Sequence, residues 1–262
     1  MRRWSIPAGN LLGIRLRLHA TWFLVLAVVV GLVVAEFGSA FPDLPRGERL
    51  LMGFVTGVSF FGCLVCHELA HALVARRFGI HVRGITLFLL GGVAEIAGEP
   101  PTPSREFAMA LAGPATSVAL GSACGLAALG ADAAGGRGLS IVLATLASVN
   151  LGVAVFNLVP GLPLDGGRLL RAVLWRLSGS YLRATRAAAA TGAIAAMGLG
   201  AAGLALAATG NVAGLWYLVM ATFIFLLARR SGRAAVPPTV PPTAPGALAW
   251  GTHEGPAPQP RP

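Results

Sequence analysis

The sequence predicts an all-α polytopic membrane protein of about six transmembrane helices, with a small membrane-associated β-hairpin after the second. Composition is the first observation behind this: 55% hydrophobic residues, 11% charged residues and a mean hydropathy of +0.74 over 262 residues. That is more apolar material than a soluble core of this size needs, and a bilayer solvates the excess. The second is length, because six apolar runs, at about 19–37, 50–75, 105–130, 139–164, 185–208 and 211–228, are each close to the roughly 20 helical residues that cross a hydrocarbon layer. Third, all twenty basic residues are arginine, and seventeen of them flank alternate connections and both termini, against Arg46, Arg49 and Arg137 on the other side. By the positive-inside rule both termini then lie in the cytoplasm of a cell membrane. Arginines so distributed form no single basic face, so the net charge of +10 does not indicate nucleic acid as a partner.

In chain order, Arg2 and Arg3 ahead of an apolar run, with Gly38-Ser39-Ala40 after it, resemble an export signal. The run is too long for one and is assigned as an uncleaved first span. The second run carries His67-Glu68-Leu69-Ala70-His71 in its cytoplasmic half. Between the second and third runs, 85–90 and 93–96 flank Gly91-Gly92 and predict a hairpin with a free edge for an added strand. Ser104 is the expected cap of the third run, with Glu106 in its first turn favouring the helix dipole.

Gly121 and Gly125, and Gly192, Ala196 and Gly200, repeat small residues at four-residue spacing and predict close helix packing. The fourth run ends in Asn157-Leu158-Val159-Pro160-Gly161-Leu162-Pro163-Leu164-Asp165-Gly166-Gly167, where two prolines and three glycines make the backbone irregular. The fifth and sixth runs form a tight hairpin. Nine of the eighteen prolines fall between Pro237 and Pro262, so 231–262 is expected to be a disordered cytoplasmic tail after an intramembrane domain over 1–230. Cys63, Cys66 and Cys124 lie in the runs and provide no disulfide framework; Cys63 and Cys66, though spaced C-x-x-C, are assigned as small buried hydrophobes. His19 and His81 are assigned structural places at the membrane boundary.

Spacing of four puts the imidazoles of His67 and His71 on one helical face, where they can share a zinc ion with Glu68 beside them as general base. A catalytic zinc takes three protein ligands. Asp165 is the candidate third, because an ionised carboxylate in hydrocarbon costs on the order of 3 kcal/mol without a partner and its depth matches that of the histidines. Zinc with two neutral imidazoles, Asp165 and Glu68 sums to zero charge.

The H-E-x-x-H in one span and the N-x-x-P-x-x-P-L-D-G-G run in a later one resemble the site-2 proteases, intramembrane zinc metalloproteases, over roughly residues 5–228. Gly91-Gly92-Val93 and Ala112-Gly113-Pro114 extend the likeness. The resemblance implies His67, His71 and Asp165 as zinc ligands, Glu68 as catalytic acid/base, and Asn157, with the Gly91-Gly92-Val93 turn of the hairpin, as substrate-binding. It also implies a single-span membrane substrate such as an anti-sigma factor or membrane-held regulator. Arg15, Arg17 and His19 look most like the subgroup that carries CBS domains, but 231–262 has no such pattern, so adenine nucleotide is not expected as a ligand. A transporter using His, Glu and Asp as an ion or proton relay is the alternative, and it would want inverted repeats with matching broken helices.

Overall fold

The computed structural model describes residues 5–88, 91–96 and 98–233. Among these residues six helices are long and apolar enough to cross a membrane: α1 (Ala20–Ala40), α2 (Arg46–Arg77), α3 (Pro103–Ala133), α4 (Arg137–Asn157), α6 (Tyr181–Ala208) and α7 (Ala213–Arg233). Their apolar side chains face outward more than inward. In α1 only 6% of the apolar window is buried, and Phe23, Leu24, Val28 and Leu32 are all exposed, which is the pattern of a surface solvated by lipid. The chain is a multi-pass membrane protein.

With little hydrophobic drive between helices in lipid, small residues set how closely they pack. Gly53 and Gly57 of α2 lie against Val34 and Val30 of α1, and a Cβ on either would come within 2.3 and 2.6 Å of those side chains. Gly121 of α3 meets Leu151 and the Ala147 carbonyl of α4, and Gly200 of α6 meets Ala221 of α7. The small-residue repeats thus serve packing within the chain, and α6 and α7 form the expected hairpin.

The fourth run departs from expectation. α4 stops at Asn157, residues 158–164 are non-helical with a cis Leu162–Pro163 bond, and Asp165 opens a separate short helix, α5 (Asp165–Ser178). Gly166 and Gly167 make this turn possible. A Cβ on Gly166 would lie 2.3 Å from the Leu158 carbonyl oxygen, and one on Gly167 2.1 Å from the Leu162 nitrogen, so the turn folds back on the first residues of α5. The Leu162 N–H donates to the Ala188 carbonyl of α6 at 2.9 Å, which satisfies irregular backbone near membrane depth.

The hairpin is half of a larger sheet. β1 (Ser5–Leu11), β2 (Ile14–His19), β3 (Val82–Phe88) and β4 (Gly91–Ile96) are ordered β1-β2-β3-β4, with β2 parallel to β3 and the other pairs antiparallel. Gly91 and Gly92 are therefore strand residues opposite Phe88 and Leu87, not the turn, and Leu89 and Leu90 lie outside the described residues. β2 occupies one side of β3, which leaves β4 as an edge of the sheet. The alternation Ile14-Arg-Leu-Arg-Leu18 carries the strand signal for β2, which its arginines obscure when read only as flanking charge. Ile14, Ile85 and Leu87 bury themselves against Ala72 and Ala75 of α2 and Met109 of α3, and the Arg76 guanidinium donates to the Leu12 carbonyl at the β1–β2 turn.

Local details also shift. Thr102, not Ser104, caps α3 by accepting from the Arg105 N–H at 3.4 Å, and His19 caps α1 by accepting from Thr21. α7 runs to Arg233, into the stretch expected as tail, and the tail from residue 234 lies outside the described residues.

Overpacking the α3–α4 crossing should be costly. Gly121→Leu is expected to destabilise the detergent-solubilised protein by about 1–3 kcal/mol. Its thermal unfolding would show this as a clear downward shift, and an unchanged transition would remove Gly121 from the packing.

Candidate metal centre

α2 delivers His67 and His71 one turn apart, 3% and 4% exposed, and the first residue of α5 delivers Asp165 between them. Asp165 Oδ2 lies 3.2 Å from His67 Nε2 and 3.1 Å from His71 Nε2, and the two Nε2 atoms are 3.2 Å apart. Ligands at 2.0–2.1 Å from a tetrahedral zinc stand about 3.3–3.4 Å from one another. The three donors therefore have the spacing that one such ion requires, and they form the group among the described residues able to hold a metal.

Their protonation follows from the partners behind them. His71 Nδ1 is 2.7 Å from the Met109 carbonyl, which can only accept, so Nδ1 carries the proton and Nε2 turns a lone pair inward. His67 Nδ1 is 2.9 Å from Ser117 Oγ, which holds that ring in place. Two imidazole nitrogens and a carboxylate oxygen converging in a buried space could hold a cation, and the N,N,O donor set suits zinc.

α3 contributes no ligand but shapes the cavity. A Cβ on Gly113 would sit 2.2 Å from His71 Nε2 and 2.5 Å from His67 Nε2, so only glycine leaves room beside the rings. Glu68 is half-buried next to His67, and a Cβ on Gly92 would come within 2.5 Å of its Cγ, which puts edge strand β4 directly beside this carboxylate. Gly91 and Val93 flank that point in β4. Asn157, expected near the site, ends α4 with its amide donating to the Val153 carbonyl of its own helix at 3.0 Å.

Sequence reasoning missed Ser117 and the role of Glu106. The signal was present: 106, 109, 113 and 117 recur at steps of three and four and share one face of α3. Glu106 is not merely a dipole-compensating first-turn residue; it is fully buried and ion-paired to Arg171.

Six bilayer-length helices among the described residues, with a buried His–His–Asp cluster held by α2 and α5 against α3, define a polytopic membrane protein with a candidate metal centre. The chain belongs to peptidase family M50, the site-2 protease family, whose profile matches residues 55–133 and 122–200 and so more than half of the sequence. Rip3 of Mycobacterium tuberculosis is 42% identical over 87% of this chain and 58% of its own length. Protein sll0528 of Synechocystis is 35% identical over 88% of this chain and 60% of its own; both carry the provisional name of zinc metalloprotease. The chain thus spans about three fifths of the length of these relatives. A solved site-2 protease from Methanocaldococcus jannaschii superposes with a TM-score of 0.58 at 26% identity, covering 90% of this chain and 99% of that one.

Because Gly113 is the space the donors occupy, Gly113→Ala is expected to weaken zinc binding at least about tenfold, the scale of losses when groups around a metal site are disturbed. Metal analysis of the purified variant after dialysis against a chelator checks this. Wild-type zinc retention would refute it.

Proposed function

We propose that this chain is an intramembrane zinc metalloprotease that hydrolyses peptide bonds in or near the membrane segments of single-span substrates. The observation that carries the reading is the meeting of His67, His71 and Asp165 at about one ligand-to-ligand spacing, with Glu68 adjacent, inside a membrane-crossing helix bundle. The names of the relatives favour peptide hydrolysis over the transporter alternative.

In this reading His67, His71 and Asp165 hold the zinc, which when bound supplies a Lewis acid and a water nucleophile at neutral pH. Glu68 accepts the proton of the attacking water as it bonds to the scissile carbonyl carbon, and returns that proton to the amine nitrogen as the C–N bond breaks. The Met109 carbonyl holds His71 in the tautomer that keeps Nε2 available, and Ser117 Oγ steadies the His67 ring from its Nδ1 side. A helical substrate hides its carbonyls, so it must extend before reaching the site. Gly91, Gly92 and Val93, on edge strand β4, supply backbone partners for such a strand beside Glu68, while a substrate-orienting role for Asn157 rests on the family resemblance alone. The arginine pattern supports a bacterial cytoplasmic membrane location with both termini cytoplasmic. The substrate would then be a membrane-held regulator such as an anti-sigma factor, with no nucleic acid bound.

Glu68→Gln is expected to keep its zinc and lower cleavage of a co-expressed, tagged single-span polypeptide by at least about 10²-fold, the lower range for removal of a general base. Retained cleavage, followed by immunoblot, would take Glu68 out of the mechanism. Asp165→Asn should reduce zinc affinity in a competition titration with a chromogenic chelator, and an unaltered affinity would disprove its assignment as third ligand.

A further inference from the structure

Asp165 stands at the junction between the 158–164 turn and α5. It is the first residue of α5, follows seven non-helical residues, and no side chain caps that helix. Its place beside the histidines therefore depends on where α5 docks. The described ion pairs of α5 beyond the metal cluster converge on one buried point. Arg171, 6% exposed, donates from Nε to Glu106 Oε1 at 2.6 Å and from Nη2 to the same oxygen, while Nη2 also reaches Glu99 Oε2 at 3.1 Å and Nη1 donates to Tyr181 Oη at 2.8 Å. Arg168 Nε adds a longer contact to Glu106 at 3.9 Å.

One guanidinium thus ties α5 to α3, to the start of α6 and to the segment after β4. Glu106 Oε2 is buried without a partner among the described residues, an arrangement poorly suited to stability alone. Buried ion pairs contribute little net stability, and their best-attested use is to specify geometry. Glu106 also shares its α3 face with Met109, Gly113 and Ser117, the groups that touch or accommodate the imidazoles. Arg171 is six residues, about 9 Å of helix, from Asp165.

We propose that Glu106 and Arg171 are positioning residues: their pair sets the docking of α5 on α3 and thereby carries Asp165 to His67 and His71. The inference rests on reading those three as metal ligands. α3 then gauges the whole centre, with Ser117 and Met109 setting the two rings and Glu106 setting the carboxylate through α5.

The test is zinc affinity of the full chain in detergent, measured by chelator competition, with Co²⁺ absorption as a report of ligand geometry and circular dichroism as a check on helix content. Glu106→Gln is expected to weaken zinc about 10- to 100-fold and change the Co²⁺ bands. Arg171→Lys, which keeps the buried charge but loses the fork, should produce a smaller loss in the same direction and serves as the second variant if Glu106→Gln does not accumulate. In an Asp165→Asn background, Glu106→Gln should change affinity less than about twofold, since its route to the metal is already cut. Wild-type affinity and spectra in both single variants would overturn the proposal, and so would an equal loss in the Asp165→Asn background, which would mark general damage to the fold. A wild-type chain that binds no zinc would overturn the metal centre itself, whereas zinc binding that ignores Glu106 and Arg171 would overturn only their role.

Discussion

Two imidazoles and a carboxylate, the latter 94 and 98 residues further along the chain, have their donor atoms within 3.2 Å of one another in a buried space. The rest of the structure is arranged around this demand. Groups so close and so poorly solvated are tolerated only if each is oriented by a partner and the inward-facing charge is balanced. Helix α3 meets most of that requirement with a single face. Ser117 and the Met109 carbonyl turn the two rings, Gly113 leaves the space between them, and Glu106 engages the helix that begins with Asp165. None of these is a proposed ligand, yet a substitution at any of them alters the geometry of one.

The bilayer explains why small residues rather than large apolar ones mark the helix contacts. A soluble bundle would bury its leucines, but here Leu24, Leu32, Leu126 and Leu129 face outward and the crossings are made at Gly53, Gly57 and Gly121. The buried aliphatic cluster lies instead where the four-stranded sheet packs on α2 and α3, around Ile14, Ile85, Leu87 and Met109. That cluster anchors β3 beside α2, and pairing then places β4 next to Glu68. The sheet is thus a means of presenting a strand edge at the depth of the candidate site.

The helices were legible because each is a long apolar run with arginine at the appropriate end, a signal that needs no knowledge of neighbours. The H-E-x-x-H and the Asp165 half-site were legible for a similar reason, since ionisable residues stand out against apolar surroundings. β1 and β2 were not, because a strand of six or seven residues next to a span is masked by its own arginines, and its parallel partner β3 lies more than sixty residues away. Pro160, Gly161 and Pro163 marked the irregular end of the fourth run, but not that the helix stops at Asn157 and a new one starts at Asp165, because apolar residues on both sides of the prolines extend the run without fixing where the backbone turns.

Local chemistry written in the chain therefore determined the membrane class, the number of spans and the candidate residues of the site, since each is read from residue type and its immediate surroundings. Only tertiary structure decided that Asp165 begins its own helix, that Gly113 and Ser117 serve the histidines, and that Glu106 faces Arg171 rather than solvent. Those contacts join residues far apart in sequence. Whether a carboxylate is exposed at a helix start or buried against a guanidinium depends on which helix comes to lie beside it.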